Sequence, residues 1–215
     1  AFLAENTYSD VDATDLMNHM NAINGVDVTN FFNDWVFNPG FAGFNIDSML
    51  VTDSGSDYDV EVFVQQKLRS APNFFSEVPL EITFTGSDWQ EEVRSFVMSG
   101  QTGSFQFTVP FEPVASYLNG GDKISQAVTG ENIVISGTGG KNLTYPLMLV
   151  TTFNVPDSVF LRVEHHWVSP DDFEDATLRH QYSLSKERYW RVIALDTVGF
   201  EAKGKIFVNG TTALD

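Results

Sequence analysis

Hydrophobic residues recur at helical spacing only near the start of this chain and at strand spacing thereafter. Between Ala13 and Asn24, the residues Leu16, Met17, Met20 and Ile23 fall three or four apart, which places them on one side of an α-helix. Asp12 stands before them as a cap, Asp15 is its capping-box partner, and Asn24-Gly25 ends the run. A second helix starts from Asp27, which can cap it. Its apolar stripe is Val28, Phe31, Phe32, Trp35 and Val36, and Asn38-Pro39-Gly40 stops it. Two helices of about three turns cannot bury these stripes against each other alone, so both are expected to pack on something larger.

From Phe44 onward the period is two. Tyr58, Val60, Val62 and Val64 share one face of a strand, with Asp59 and Glu61 on the other. Alternating runs recur at Val78, Leu80, Ile82 and Phe84, at 93–98 and at 105–109, separated by GSD, SGQTGS and NGGD turns. The interval 41–136 therefore reads as an immunoglobulin-like β-sandwich. The Gly-rich, polar stretch GTGGKN at 137–142 reads as a linker. Strands expected at 147–153, 159–168, 189–195 and 203–208 make residues 143–215 a second, smaller β-domain. The fold class expected is mostly β: two short N-terminal helices (1–40), then two β-domains.

Composition narrows the function classes. Nineteen Phe against six Tyr and four Trp suits sheets packed through aromatic interiors. With no cysteine, disulfides, thiolate metal sites and thiol nucleophiles are all excluded. No run approaches the roughly 20 apolar residues that a membrane-spanning helix needs. The net charge is −17, and residues 1–66 hold 11 acids and no Lys or Arg. Nucleic acid and anionic membranes are therefore not expected as partners, since both require clustered basic side chains.

The segment Gly25 to Gly40, GVDVTNFFNDWVFNPG, resembles the helix that closes the catalytic domain of the M1 zinc aminopeptidases before the chain enters a β-sandwich. Gly25, Asp27, Phe31, Phe32, Trp35, Pro39 and Gly40 carry that likeness. Beyond it, VFVQQK (62–67), Phe74-Phe75, VPLEI (78–82), Ser99-Gly100 and Pro110-Phe111-Glu112-Pro113 are similar to the sandwich that follows in that family. The resemblance implies that this is a C-terminal, non-catalytic region, with the upstream catalytic domain of the same polypeptide as its partner. Peptide substrate would then be met only through the parent. Val28, Phe31, Phe32, Trp35 and Val36 would be interdomain packing residues. Zinc would be held upstream, because the H-E-x-x-H pair, the distant Glu, the Gly-x-Met-x-Asn strand and the catalytic Tyr do not occur in these 215 residues. Residues 159–208 look similar to an extra β-domain of secreted bacterial members, which implies an extracellular or periplasmic parent. No catalytic, cofactor-binding or metal-ligating residue is expected in the chain itself.

Several clusters have more than one reading. His165 and His166 are adjacent in a strand, so alternation points them apart and they cannot share one ion. Trp167 and Trp190 are either a sugar platform or core. Asp53, Asp57 and Asp59 lack the spacing of a calcium loop and read as a hairpin turn. Asp171, Asp172, Glu174 and Asp175 could hold Ca²⁺ or lie solvated. Neither G-x-S-x-G nor a phosphate loop is present, and Asn142 and Asn209 head formal glycosylation sequons. The rival to the peptidase reading is a bacterial surface adhesion or carbohydrate-binding sandwich that uses those acids for calcium and those tryptophans for sugar.

Overall fold

The change of period near residue 41 is a change of structure. In the computed structural model, which describes residues 1–175 and 177–207, helices precede that point and antiparallel strands follow it. Asn209 and Val208, the last residue of the strand expected at 203–208, lie outside the described residues. The chain is mostly β, as its alternation predicts.

Local chemistry sets the helices. A single turn, α1 (Phe2–Glu5), precedes α2 (Ala13–Asn24). The Asp12 carboxylate accepts from the N–H groups of Thr14 and Asp15 at 2.7 and 3.0 Å, and the Asp15 carboxylate accepts from Asp12 N–H at 3.0 Å. Gly25 at φ 63° then turns the chain out of the helix. α3 (Thr29–Phe32) continues without a break into a π-helical turn, Asn33–Phe37. Its first turn is held by Asp27, which accepts from Thr29 N–H at 2.9 Å.

The first sandwich pairs β1 (Phe41–Asp53), β2 (Tyr58–Arg69) and β5 (Thr102–Val109) in one sheet, ordered β1-β2-β5. β3 (Val78–Gly86), β4 (Glu91–Met98) and β6 (Pro113–Leu118) form the other, ordered β4-β3-β6. The alternating residues Val60, Val62 and Val64 meet Leu80, Ile82 and Phe84 in a core that also holds Phe44, Phe75, Met98 and Val109. Register slips by one residue between Ile46 and Ser48, so the long β1 bends over the core instead of running straight.

The second sandwich begins earlier than the pattern suggests. β7 (Val128–Ile135) lies inside the interval expected for the first sandwich, yet it pairs with β10 (Val159–His166), which pairs in turn with β11 (Tyr189–Leu195). The expected linker at 137–142 is largely β8 (Gly139–Leu143), the edge strand of a sheet with β9 (Met148–Asn154) and β12 (Glu201–Ile206). Gly139 to Asn142 are exposed, and an edge strand turned to water needs no apolar alternation, so it reads as a spacer. The connection between the sandwiches is instead residues 119–127. That segment is tied down: the Asn119 side chain bonds both the N–H and the C=O of Ile124, and Ala127 N–H donates to Ala42 C=O at 2.9 Å.

β10 is buried along its whole length. Leu161 and Val163 face the second core, with Ile135, Leu143, Met148 and Val150. The opposite face meets the first sandwich. Trp89, in the β3–β4 turn, reaches Phe160 and donates through its indole N–H to Asp196. Tyr117 of β6 lies under Arg162, and Gly43 of β1 admits Val128 and Val168 so closely that a Cβ there would sit 3.3 Å from the Val168 side chain.

Candidate functional site

Two places gather the residues singled out by sequence: the helix that leads into the first sandwich, and the junction along β10. The helix is anchored by polar contacts. The buried Asp34 carboxylate accepts from Ser76 N–H at 2.9 Å, and the Trp35 indole N–H donates to Ser125 C=O at 3.0 Å. Its aromatic rings form a chain: Phe37 to Phe32 at 5.9 Å, Phe32 to Phe31 at 5.7 Å, Phe31 to Trp35 at 5.5 Å, and Trp35 to the core Phe75 at 4.7 Å. The five stripe residues are thus not equivalent. Phe32 is buried, Trp35 and Val28 are half-buried, and Phe31 and Val36 are 51% and 45% exposed. The stop that follows is a steric necessity. Gly40 has φ 88°, and a Cβ there would stand 2.4 Å from the backbone of residues 69–71.

At the junction, the outward side of β10 carries Arg162, Glu164 and His166 in a buried, mutually bonded row. Arg162 Nε donates to Glu164 Oε1 at 2.8 Å, His166 Nε2 meets Glu164 Oε2 at 3.1 Å, and Arg191 stands 3.9 Å away. Burial favours the neutral carboxyl, but the hydrogen bond to His166 and the charge of Arg162 outweigh it and hold Glu164 down at about 2. The Arg162 guanidinium also donates to Asn132 Oδ1 at 2.8 Å. Gly130 leaves room for it, since a Cβ would fall 2.5 Å from Arg162 Nη2.

The Tyr117 hydroxyl donates to Glu91 at 2.6 Å and accepts from Asn132 at 2.9 Å, and burial, with Glu91 second, pushes it up to about 12. An ionised Glu164 with its oxygens engaged and a Tyr117 locked neutral are suited to holding two sandwiches together, not to moving protons.

The two histidines lie on opposite faces of β10. His166 stacks on Tyr189 at 4.3 Å, whereas His165 lies between Trp167 at 4.2 Å and Trp190 at 4.3 Å. Both tryptophans are therefore packed, and the Trp190 indole N–H donates to Pro146 C=O at 2.6 Å. Arg69 and Lys67, at the end of β2, reach across to this site: Arg69 donates to the carbonyls of Trp167 and Glu187, and Lys67 pairs with Asp171 at 2.9 Å. Among the other acids, Asp172 pairs with Arg179, Asp175 accepts from Thr177, and Asp53 closes its hairpin by accepting from Gly55 N–H. Among the described residues no three His, Asp or Glu side chains converge as metal ligands, and no helix is long and apolar enough to cross a membrane.

Arg162, Glu164, Tyr117 and Asn132 were not foreseen. In a strand that alternates with Leu161 and Val163, polar residues read as a solvent face. The available signal was an Arg, a Glu and a His at every second residue, a set whose members can bond one another when buried. No protein-family model, no curated protein and no solved structure matches the chain.

Proposed function

We propose that this chain is the non-catalytic C-terminal region of an M1-like zinc aminopeptidase, where it supports the catalytic domain mechanically. The observation that carries this reading is the two-sided helix at 29–37. One side, through Phe32, Asp34 and Trp35, is fixed to the first sandwich. The other presents Phe31, Val36 and Phe37 to solvent, each more than 40% exposed and within three helical turns of one another. Large apolar side chains clustered in this way mark an interaction surface. The residues shared with the family's closing helix fall on both sides, which suits a segment that joins a catalytic domain to a sandwich.

The upstream domain would supply the zinc, the general base and the peptide cleft. This chain would supply a stiff base, with the β10 junction bonding the two sandwiches to each other. The parent would be an exported bacterial enzyme acting outside the cytoplasm. The direct test is the reading frame upstream of the codon for Ala1. An in-frame H-E-x-x-H with a more distant Glu is expected there, and a frame without it removes the proposal.

A further inference from the structure

His165 is 0% exposed, and neither of its ring nitrogens has a hydrogen-bond partner. Its surroundings suit a neutral ring alone. The indole of Trp190 lies parallel to it, 6° from coplanar, and Trp167 covers it from another side. Trp167 is itself one of the contacts between the sandwiches: Arg69 of the first sandwich and Arg188 both lie over its ring, at 5.5 and 5.4 Å, and its backbone N–H donates to Ala127 C=O at 2.8 Å.

Among the described residues, the charged groups on the neighbouring elements leave no acceptor for a second ring proton. β2 contributes Arg69, and the approach to β11 contributes Arg188. On β7 the residue across is Thr129, while Glu131 nearby accepts from the N–H groups of Thr144 and Tyr145. On β11 the residue across is Trp190, and Arg191 leans toward Glu164. On its own strand, His166 and Glu164 are bonded to each other on the opposite face, and Glu187, just before β11, is exposed.

We propose that His165 is an acid-sensitive latch: neutral, it completes the aromatic stack that holds Trp167 against Arg69, and protonated, it breaks that stack and releases Trp167 locally from Arg69, while the Arg162–Tyr117 contact stays closed. An imidazolium in this slot would face two guanidinium groups with no hydrogen-bond acceptor among the described residues, in a region closed to water, which is costly unless the slot opens. Burial first, then Arg188, His166 and Arg69, hold the ring down to about 4, against 6.5 for a free histidine. A depressed histidine stabilises the closed form above 6.5, and that contribution is lost as pH falls from 6.5 toward 4.

The experiment is hydrogen exchange of the Trp167 and Ala127 amides, corrected for the intrinsic pH dependence of exchange, in the wild-type chain and in His165→Phe. Between about pH 7.5 and about pH 5 the open-to-closed ratio should rise about 30-fold in the wild type, and protection should fall by that factor. Phenylalanine keeps the stack and takes no proton, so His165→Phe should lose less than about threefold over the same range. The amide of Ile82, deep in the first sandwich, should stay protected in both. An equal fall in both proteins, or none in the wild type, overturns the proposal. So does a His165 ring resonance that titrates near 6.5 in the wild type, a readout that does not depend on the variant folding.

Discussion

The guanidinium carbon of Arg162 lies 3.9 Å from the centre of the Tyr117 ring, so a cation of the second sandwich rests on an aromatic face of the first. Both groups are almost wholly buried, and each is also held by Asn132. A cation is attracted to the negative face of an aromatic ring, and the attraction grows once water is excluded. This contact, with the Glu164 row beside it, couples the sandwiches.

Arg162→Met should therefore destabilise the chain by about 3–5 kcal/mol, because it leaves Glu164 buried without its closest cation. Arg162→Met combined with Glu164→Gln should recover part of that loss, since the stranded charge goes with its partner. Urea unfolding of the single and double variants measures both. A double variant no more stable than Arg162→Met would contradict the role given to the charge.

Tyr117→Phe removes a hydroxyl that donates to Glu91 and accepts from Asn132, and should cost about 1–3 kcal/mol. The same hydroxyl gives an alkaline signature. Its folded value is raised from 10 to about 12, so its contribution is intact below pH 10 and is lost as pH rises from 10 to 12. Wild-type stability should decline through that window more steeply than that of Tyr117→Phe.

Acid acts on the other member of the junction. Glu164 is lowered from 4.5 to about 2 in the folded chain, so it stabilises above pH 4.5 and loses that contribution as pH falls from 4.5 toward 2. Its worth is on the order of 3 kcal/mol. Glu164→Gln should flatten the stability profile in this range, as followed by denaturant midpoints at successive pH values.

The helix at 29–37 should divide by side. Phe32→Ala should cost about 3–5 kcal/mol as a buried aromatic truncation. Phe31→Ser and Val36→Ser should each stay within about 1 kcal/mol, since both side chains are half in water already. Gly40→Ala should cost roughly 2–4 kcal/mol, because the left-handed φ and the Cβ overlap with residues 69–71 both resist it. Thermal unfolding of the four variants orders them.

What could be read in the sequence is what local chemistry decides. The Asp12 capping box, the Gly25 exit and the Pro39-Gly40 stop depend on neighbours a few residues away, and each is visible in the order of residues. Val60 to Val64 and Leu80 to Phe84 were legible for the same reason: alternation is a property of one strand. The start of the second sandwich was not. Whether β7 joins the first or the second core depends on its partner β10, some 30 residues on, and the Gly-rich β8 carries no apolar face to declare itself. Nor could the stripe from Val28 to Val36 reveal that Phe32 turns inward and Phe31 outward, because the division depends on where Ser76 and Ser125 lie in space.

The central claim, that this chain buttresses a zinc peptidase domain, is tested most directly by metal analysis of the polypeptide translated from the complete reading frame. About one zinc per molecule, together with chelator-sensitive aminopeptidase activity that the 215-residue chain lacks, is the result expected. A complete polypeptide that purifies folded, free of zinc and unable to regain activity with added zinc would contradict it.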